Sequence, residues 1–187
     1  MALLNGFVGA PVAGGIFTAP LGSTLPTDAK TDLDKAFKPV GFLSDEGLSL
    51  TRDRSTDDIR KWGGEIYRTV QTEFSETAQF AFLDADKPEV LREVFGAENV
   101  TGEGTELSIK HNGDPLPGRI FVFEMKDGGK RRRFVIPNGQ ITQTEDIKYS
   151  HSDIVRYGVT VTAYPDKDGN CAYEYQTVTD TSSAVAA

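Results

Sequence analysis

The sequence holds one cysteine, Cys171, in 187 residues. No internal disulfide and no thiolate metal cluster can form from it, which fits a reducing compartment. There is no apolar run of the ~20 residues that a bilayer-spanning helix needs. Histidine is scarce, with only His111 and His151, and neither H-x₃-H nor C-x₂-C spacing occurs, so no metal site is expected. No Lys or Arg precedes Lys30. Pro11, Gly14 and Gly15 interrupt the apolar N-terminal stretch, so it lacks the basic start and unbroken core of a secretory signal. The net charge of −8 opposes nonspecific binding to nucleic-acid phosphates.

Catalytic patterns are equally thin. His151, Asp153 and a nearby serine could be drawn as a triad, but no nucleophile elbow surrounds them. Asp166, Asp168 and Asn170 resemble a calcium loop, yet the glycine is misplaced and the closing glutamate is missing, so an Asp-Gly turn is the expectation. Gly102 and Gly104 follow no strand and precede no phosphate-binding helix. The basic run Lys130 to Arg133 lacks interleaved aromatics and suits a neighbour contact or the protection of a sheet edge. An enzyme is not expected, nor any cofactor.

What the chain does have is strand periodicity. Phe74, Ala78, Phe80 and Phe82 alternate with Ser75, Thr77, Gln79 and Ala81, the period of a strand with one buried side. Ile66 to Thr72 and Ser75 to Leu83 read as a hairpin around Glu73 and Phe74. Arg119 to Lys126 and Lys130 to Ile136 flank a DGG turn. Gly139 to Ser150, Asp153 to Tyr164 (with Val155, Tyr157, Val159, Val161 and Ala163 on one face) and Cys171 to Val178 follow as strands. Val40 to Thr51 holds one strand or two. The clearest helix is about 86–96, with Pro88 in its first turn, Asp84 or Asp86 to cap it, and Gly96 to end it. Asp28 to Phe37 could form a short helical turn. Roughly seven to nine strands and one helix give a mainly β (α+β) sandwich or barrel.

Three features bear on assembly. Residues 1–30 form an arm rich in Gly and Pro but dotted with apolar residues, which lies either on its own domain or on a neighbour. Arg52 to Gly64 reads as a long exposed loop carrying Trp62, the only tryptophan, which either pins the loop or enters a partner. Several strands present polar faces, as in Thr69, Gln71, Glu73, Thr77 and Gln79, and again in Thr142, Thr144 and Asp146. Such faces meet either bulk solvent or an aqueous channel.

Five segments together resemble the major tail proteins, or tail tube proteins, of long non-contractile-tailed bacteriophages, most of all those infecting actinobacteria. They are GGIFTAPLGSTLPTDA (Gly14 to Ala29), KPVGFLSDEGLSL (Lys38 to Leu50), the loop ending in WGG (Trp62 to Gly64), RTVQTEFSETAQFAFLDADKPEVLREVFG (Arg68 to Gly96) and VTVTAYPD (Val159 to Asp166). The resemblance implies a β-sandwich with one flanking helix, six copies closing a ring, and rings stacking into a hollow tube with an acidic lumen. On this chain it implies an inter-subunit arm at 1–35, a tube domain at 36–180 and a frayed tail at 181–187. Contacts between subunits would run through Phe7, Ile16, Phe17, Leu21 and Leu25 of the arm and Arg54, Asp57, Asp58, Arg60, Lys61 and Trp62 of the loop. The lumen would be lined by the eight polar residues named above. Implied partners are further copies, a tape-measure protein, a tail-tip or baseplate initiator and a tail terminator. Double-stranded DNA would pass through without specific binding and without membrane insertion. An additional immunoglobulin-like domain is not expected after Tyr175. Other readings are a tail terminator, a contractile-tail inner tube subunit, or a monomeric ligand-binding β-barrel.

Overall fold

The computed structural model describes residues 6–103 and 106–178. The strands are β1 (Ala10–Pro20), β2 (Lys38–Phe42), β3 (Ser49–Arg60), β4 (Ile66–Phe82), β5 (Val100–Glu103), β6 (Glu106–Ile109), β7 (Arg119–Asp127), β8 (Lys130–Thr144), β9 (Tyr157–Ala163) and β10 (Tyr173–Val178), and the helix is α1 (Pro88–Phe95). The large sheet has the order β2-β1-β7-β8-β9-β4-β3, with β10 also on β8, and β5-β6 form a separate ribbon. Every pairing is antiparallel.

The sheet rolls up. A bridge joins Leu43 to Phe82. Leu83 N–H donates to the Phe42 carbonyl at 2.9 Å, and Ser44 N–H donates to the Ala81 carbonyl at 2.8 Å. These bonds bring the β2 edge back against β4 and enclose a core of Ile16, Val40, Phe80, Phe82, Phe121, Phe123, Phe134 and Ile136. Phe80 meets the rings of Phe82 and Phe123 edge-on, each at 5.2 Å. Helix α1 caps this core with Val90, Leu91 and Val94. Its partner polar group, Glu93, is also buried and holds Thr18 (2.8 Å) and the Arg119 guanidinium, whose Nε lies 3.0 Å away. The hydrogen bond to Glu93, opposed by burial and aided by charge, raises the Arg119 pKa above its ordinary value.

Strand β7 is buried on both faces, because a second core lies behind it. Ala19, Phe37, Ile120, Val122 and Val135 are covered by Phe17, Leu25, Leu33 and Ala36. From Ala10 onward the separation of residues 1–35 as an arm is therefore corrected, while residues 1–5 lie outside the described residues. Ala10–Pro20 is a strand between β2 and β7, and the stretch through Phe37 covers its own sheet. Residues 181–187 lie outside the described residues. The bulge in β1 explains why this strand was unreadable. Ala13, Gly14 and Gly15 all take positive φ, and a Cβ on Gly14 would lie 2.5 Å from the Gly41 carbonyl oxygen, so glycine is required there.

Other elements also differ from expectation. Arg52 to Gly64 is not a loop but most of β3 and its turn. Glu73 and Phe74 do not form a turn, since β4 runs unbroken through them. β8 continues past Gly139, with Pro137 falling in the register shift between β7 and β8, where a missing N–H is tolerated. Asp28 to Phe37 contains no helix. Lys87, without a side-chain cap, precedes α1, because Asp84 is taken by Phe42 N–H (2.9 Å) and Lys87 Nζ (2.7 Å). The basic run is not at an edge either. Lys130 to Val135 lies between β7 and β10. Arg133 is buried, paired with Glu124, and donates to the carbonyls of Asp28 (2.7 Å) and Thr31 (2.9 Å).

Phe82 is fully buried, and Phe82→Ala leaves a cavity under the seam where the sheet closes. We expect a loss of ~3–5 kcal/mol, read by denaturant unfolding; a loss under about 1 kcal/mol would show that the seam repacks. Asp28 gives a pH test. The Thr31 hydroxyl, with the N–H groups of Thr31 and Lys30, lowers its pKa from 3.8 to about 2. A carboxyl depressed on folding stabilises above its unfolded pKa, and that contribution is lost as pH falls through the folded value. The stability gap between wild type and Asp28→Asn should thus close between 3.8 and about 2. A gap that is constant across that window would exclude the mechanism.

Candidate functional site: a polar strand face and a projecting ribbon

β4 changes character along its length. Glu76–Gln79 pairs with both β3 and β9 and Phe80–Phe82 pairs with β9, whereas Ile66–Ser75 pairs with β3 alone. The outer part of β3-β4 is therefore a two-stranded ribbon standing off the body. Its ten β4 residues rise roughly 33 Å at ~3.3 Å each. All of β3 is exposed. The ribbon has no core and is laced by polar contacts instead. Thr69 donates to Asp58 (2.8 Å), Arg54 donates to Gln71 (2.9 Å) and lies 4.7 Å over the Phe74 ring, and Lys61 pairs with Glu65 (3.2 Å). Exposed pairs of this kind stabilise weakly. The tip turn uses Gly63 and Gly64 at positive φ. Trp62 is 106% exposed at the tip, with Ile59, Ile66 and Tyr67 exposed beside it.

The second element is the sheet face opposite the main core. Register places Ser49 and Thr51 of β3 beside Gln79 and Thr77 of β4, and those beside Thr160 and Thr162 of β9. Thr142 of β8 joins through a 2.8 Å hydroxyl contact with Thr162. Gln140 and Gln143 of β8 pair with Thr162 and Thr160, so the result is a continuous field of hydroxyls and amides across four strands. Asp53 and Glu73 continue it toward the ribbon. Glu145 lies against it over Gly158, where a Cβ would come within 2.2 Å of Glu145 Oε2.

Not all expected lumen residues share this face. The register shift after Ser55 leaves Thr72 unpaired and pairs Thr56 with Gln71 and Asp58 with Thr69. Pairing parity then puts Gln71 and Thr69 on the side of Arg54, opposite Glu73, Thr77 and Gln79. A similar shift after Ile141 pairs Thr144 with Val159, on the core side, away from Thr142. Asp146 lies exposed beyond the end of β8. Thr160 and Thr162 were missed as members of the face, although their alternation with Val159 and Val161 signalled it.

The expected contact residues divide likewise. Arg54, Asp57, Asp58, Arg60, Lys61 and Trp62 come together on the ribbon and are exposed. Ile16 is fully buried in the core and is not presented to a neighbour, while Phe17 and Leu25 are half-buried against the second core. Phe7 is half-buried beneath the Arg132 guanidinium, 4.4 Å from its centroid. Leu21 remains about half exposed.

Chemistry does not gather elsewhere. His111 lies 4.7 Å from the Phe95 ring, and His151 is exposed in a connecting segment. Asp166 accepts from the N–H groups of Asp168 (2.9 Å) and Asn170 (3.0 Å), closing a turn. Among the described residues, no three His, Cys, Asp or Glu are grouped to hold a metal, and no helix is long and apolar enough to cross a membrane.

Among solved structures, the chain is similar to the tail of an empty GTA (gene transfer agent) particle, at 14% identity and a TM-score of 0.45, covering 89% of this chain and 96% of that one. It is also similar to the tube-terminating cap of the anti-feeding prophage, at 9% identity and a TM-score of 0.49, covering 95% and 100%. A third similarity is to the sheath-tube complex of the PVC extracellular contractile injection system, at 10% identity and 0.44, covering 91% and 92%. No curated protein matches the chain. The family model described as phage tail tube protein matches residues 1–186. The chain belongs to the phage tail tube protein family: it is a structural tail protein and not an enzyme.

Proposed function

We propose that this chain is the repeating subunit of the tail tube of a long non-contractile-tailed phage, with six copies closing each ring and rings stacking into the conduit for genome ejection. The observation that carries this reading is the hydroxyl face of β3-β4-β9-β8, which ends at an open strand edge. Among the described residues β3 has β4 as its only strand partner, so the outward-pointing backbone groups of alternate residues along this twelve-residue edge are available for another copy. Joining such edges around a ring makes the polar faces one continuous inner wall. That wall bears Asp53, Glu73 and Glu145 beside neutral hydroxyls, and Lys and Arg are absent from the positions that register assigns to it between Ser49 and Ser55 of β3 and across β4, β9 and β8. Phosphates meet a surface that neither pairs with them nor offers apolar patches, so duplex DNA slides. The ribbon reaches to an adjacent copy, and burial of its apolar tip offsets the ordering of its exposed strands. An initiator at the tail tip and a tape-measure protein would template growth, with a terminator ending it, in the host cytoplasm before incorporation into the virion.

Two variants test this. Thr51→Lys with Gln79→Lys adds positive charge on exposed positions of the face. Tubes should still form, but they should retain linear DNA at low salt and release it at high salt. Absence of retention would sink the lumen assignment. Trp62→Ala should change monomer stability by no more than about 0.5 kcal/mol, since Trp62 touches little of its own chain, yet tube formation followed by negative-stain microscopy should fail. Tubes formed as readily as by wild type would remove the ribbon from the assembly scheme.

A further inference from the structure

At the pole of the molecule opposite the ribbon is a cleft of about 360 Å³ lined by Thr18, Pro20, Ala36, Lys38, Pro39, Val40, Glu89, Arg92, Glu93 and Arg119. Its place follows from the pairing. β2 leads through Leu43 to the bridge with Phe82 and on to Ser44, which bonds back to Ala81. β2 therefore runs antiparallel to β4, and Lys38 lies beyond the Phe82 end of a strand whose other end leads to Trp62. The tip and the cleft are separated by the whole of β4, so a chain cannot fill its own cleft with its own tip.

We propose that this cleft is the receptor for the Trp62 tip of a second copy, an inference that rests on the bridging role given to the ribbon above. The chemistry of the two surfaces matches. Pro20, Pro39, Ala36 and Val40 supply an apolar floor for an indole. Lys38 and Arg92 supply cations for its face, and tryptophan is the best aromatic partner for them. The Glu93–Arg119–Thr18 network behind the floor is internally bonded, so it fixes the shape without demanding a ligand charge. The rim carries Lys38 and Arg92 against Glu89, and Asp57, exposed on the ribbon stem, complements the excess cation. Because tip and cleft are different surfaces at opposite poles, the contact is heterologous. It leaves a free tip at one end and a free cleft at the other, and so propagates.

The test uses the full chain in a Cys171→Ser background, which removes the native thiol. Lys61→Cys and Lys38→Cys are placed in one chain and oxidised. A ladder of disulfide-linked species beyond the dimer is expected, while mixed single variants should stop at dimers. Trp62 is the only tryptophan, so its emission should shift to the blue on association, and Arg92→Glu should weaken that association about tenfold. Absence of the Lys61–Lys38 link overturns the cleft assignment, as does transfer of the link to an Ile154→Cys control. A double variant that stops at a closed dimer overturns the propagating geometry. Each of these results leaves the ribbon as a bridge if Trp62→Ala still abolishes tubes. Wild-type assembly by Trp62→Ala instead overturns the bridging reading itself.

Discussion

A strand buries side chains only where something covers it, and β4 is covered along less than half its length. From Glu76 to Phe82 it is paired with β9, with β3 on its other side as far as Gln79, and supplies Ala78, Phe80 and Phe82 to the core. From Ile66 to Ser75 it has one partner and no cover. The same strand is thus anchor and projection. Closure of the sheet at Leu43–Phe82 sits at the anchored end, so the seam that encloses the core also fixes the base of the ribbon. A tip carried on a rigid, doubly paired root is presented in a defined direction, which an irregular loop of equal length could not guarantee.

The buried charges serve the same end. Glu93 joins helix α1 to β1 and β7 through Thr18 and Arg119. Arg133 joins β8 to β7 through Glu124, and to the covering segment through the carbonyls of Asp28 and Thr31. Each network satisfies a group that would be costly alone in a low-dielectric interior. Each also selects one position for a covering element that apolar contact would let slide. The two layers over the sheet, α1 on one face and residues 21–37 on the other, are located by these bonds as much as by packing.

Much of this architecture could be read in the sequence, and the unread parts share a cause. The helix and the inner half of β4 were legible because each has one buried side, and burial writes a period into the residues, while the β7-β8 hairpin was legible from its DGG turn. The ribbon has no buried side, so RDRSTDDIRK carries no apolar period and resembles a loop. Bulges are invisible for a related reason. The shifts at Thr72 and after Ile141 move Thr69, Gln71 and Thr144 to the other face, and simple alternation cannot show it. The glycines of β1 hid a central strand in the same way. The residues of the candidate wall were half found, since Thr77, Gln79 and Thr142 were legible singly. Their union with Ser49, Thr51, Thr160 and Thr162 depends on register.

The position of β1 bears on the order in which the chain can fold. Ile16 pairs with Gly41, close behind it in sequence, and also with Phe123. During synthesis β1 and β2 can pair soon after both emerge, but the other edge of β1 stays open until β7 has been made. Contacts of such separation are slow to form, and an open edge beside Ile16 and Phe17 invites a wrong partner while it waits. The β3-β4 ribbon needs only its own turn and can form in that interval. The surface used for joining copies would then exist before the body that carries it is closed, and crowded nascent chains would meet through it too early. A tip whose receptor includes Arg119, in β7, has no complete receptor until the wait is over.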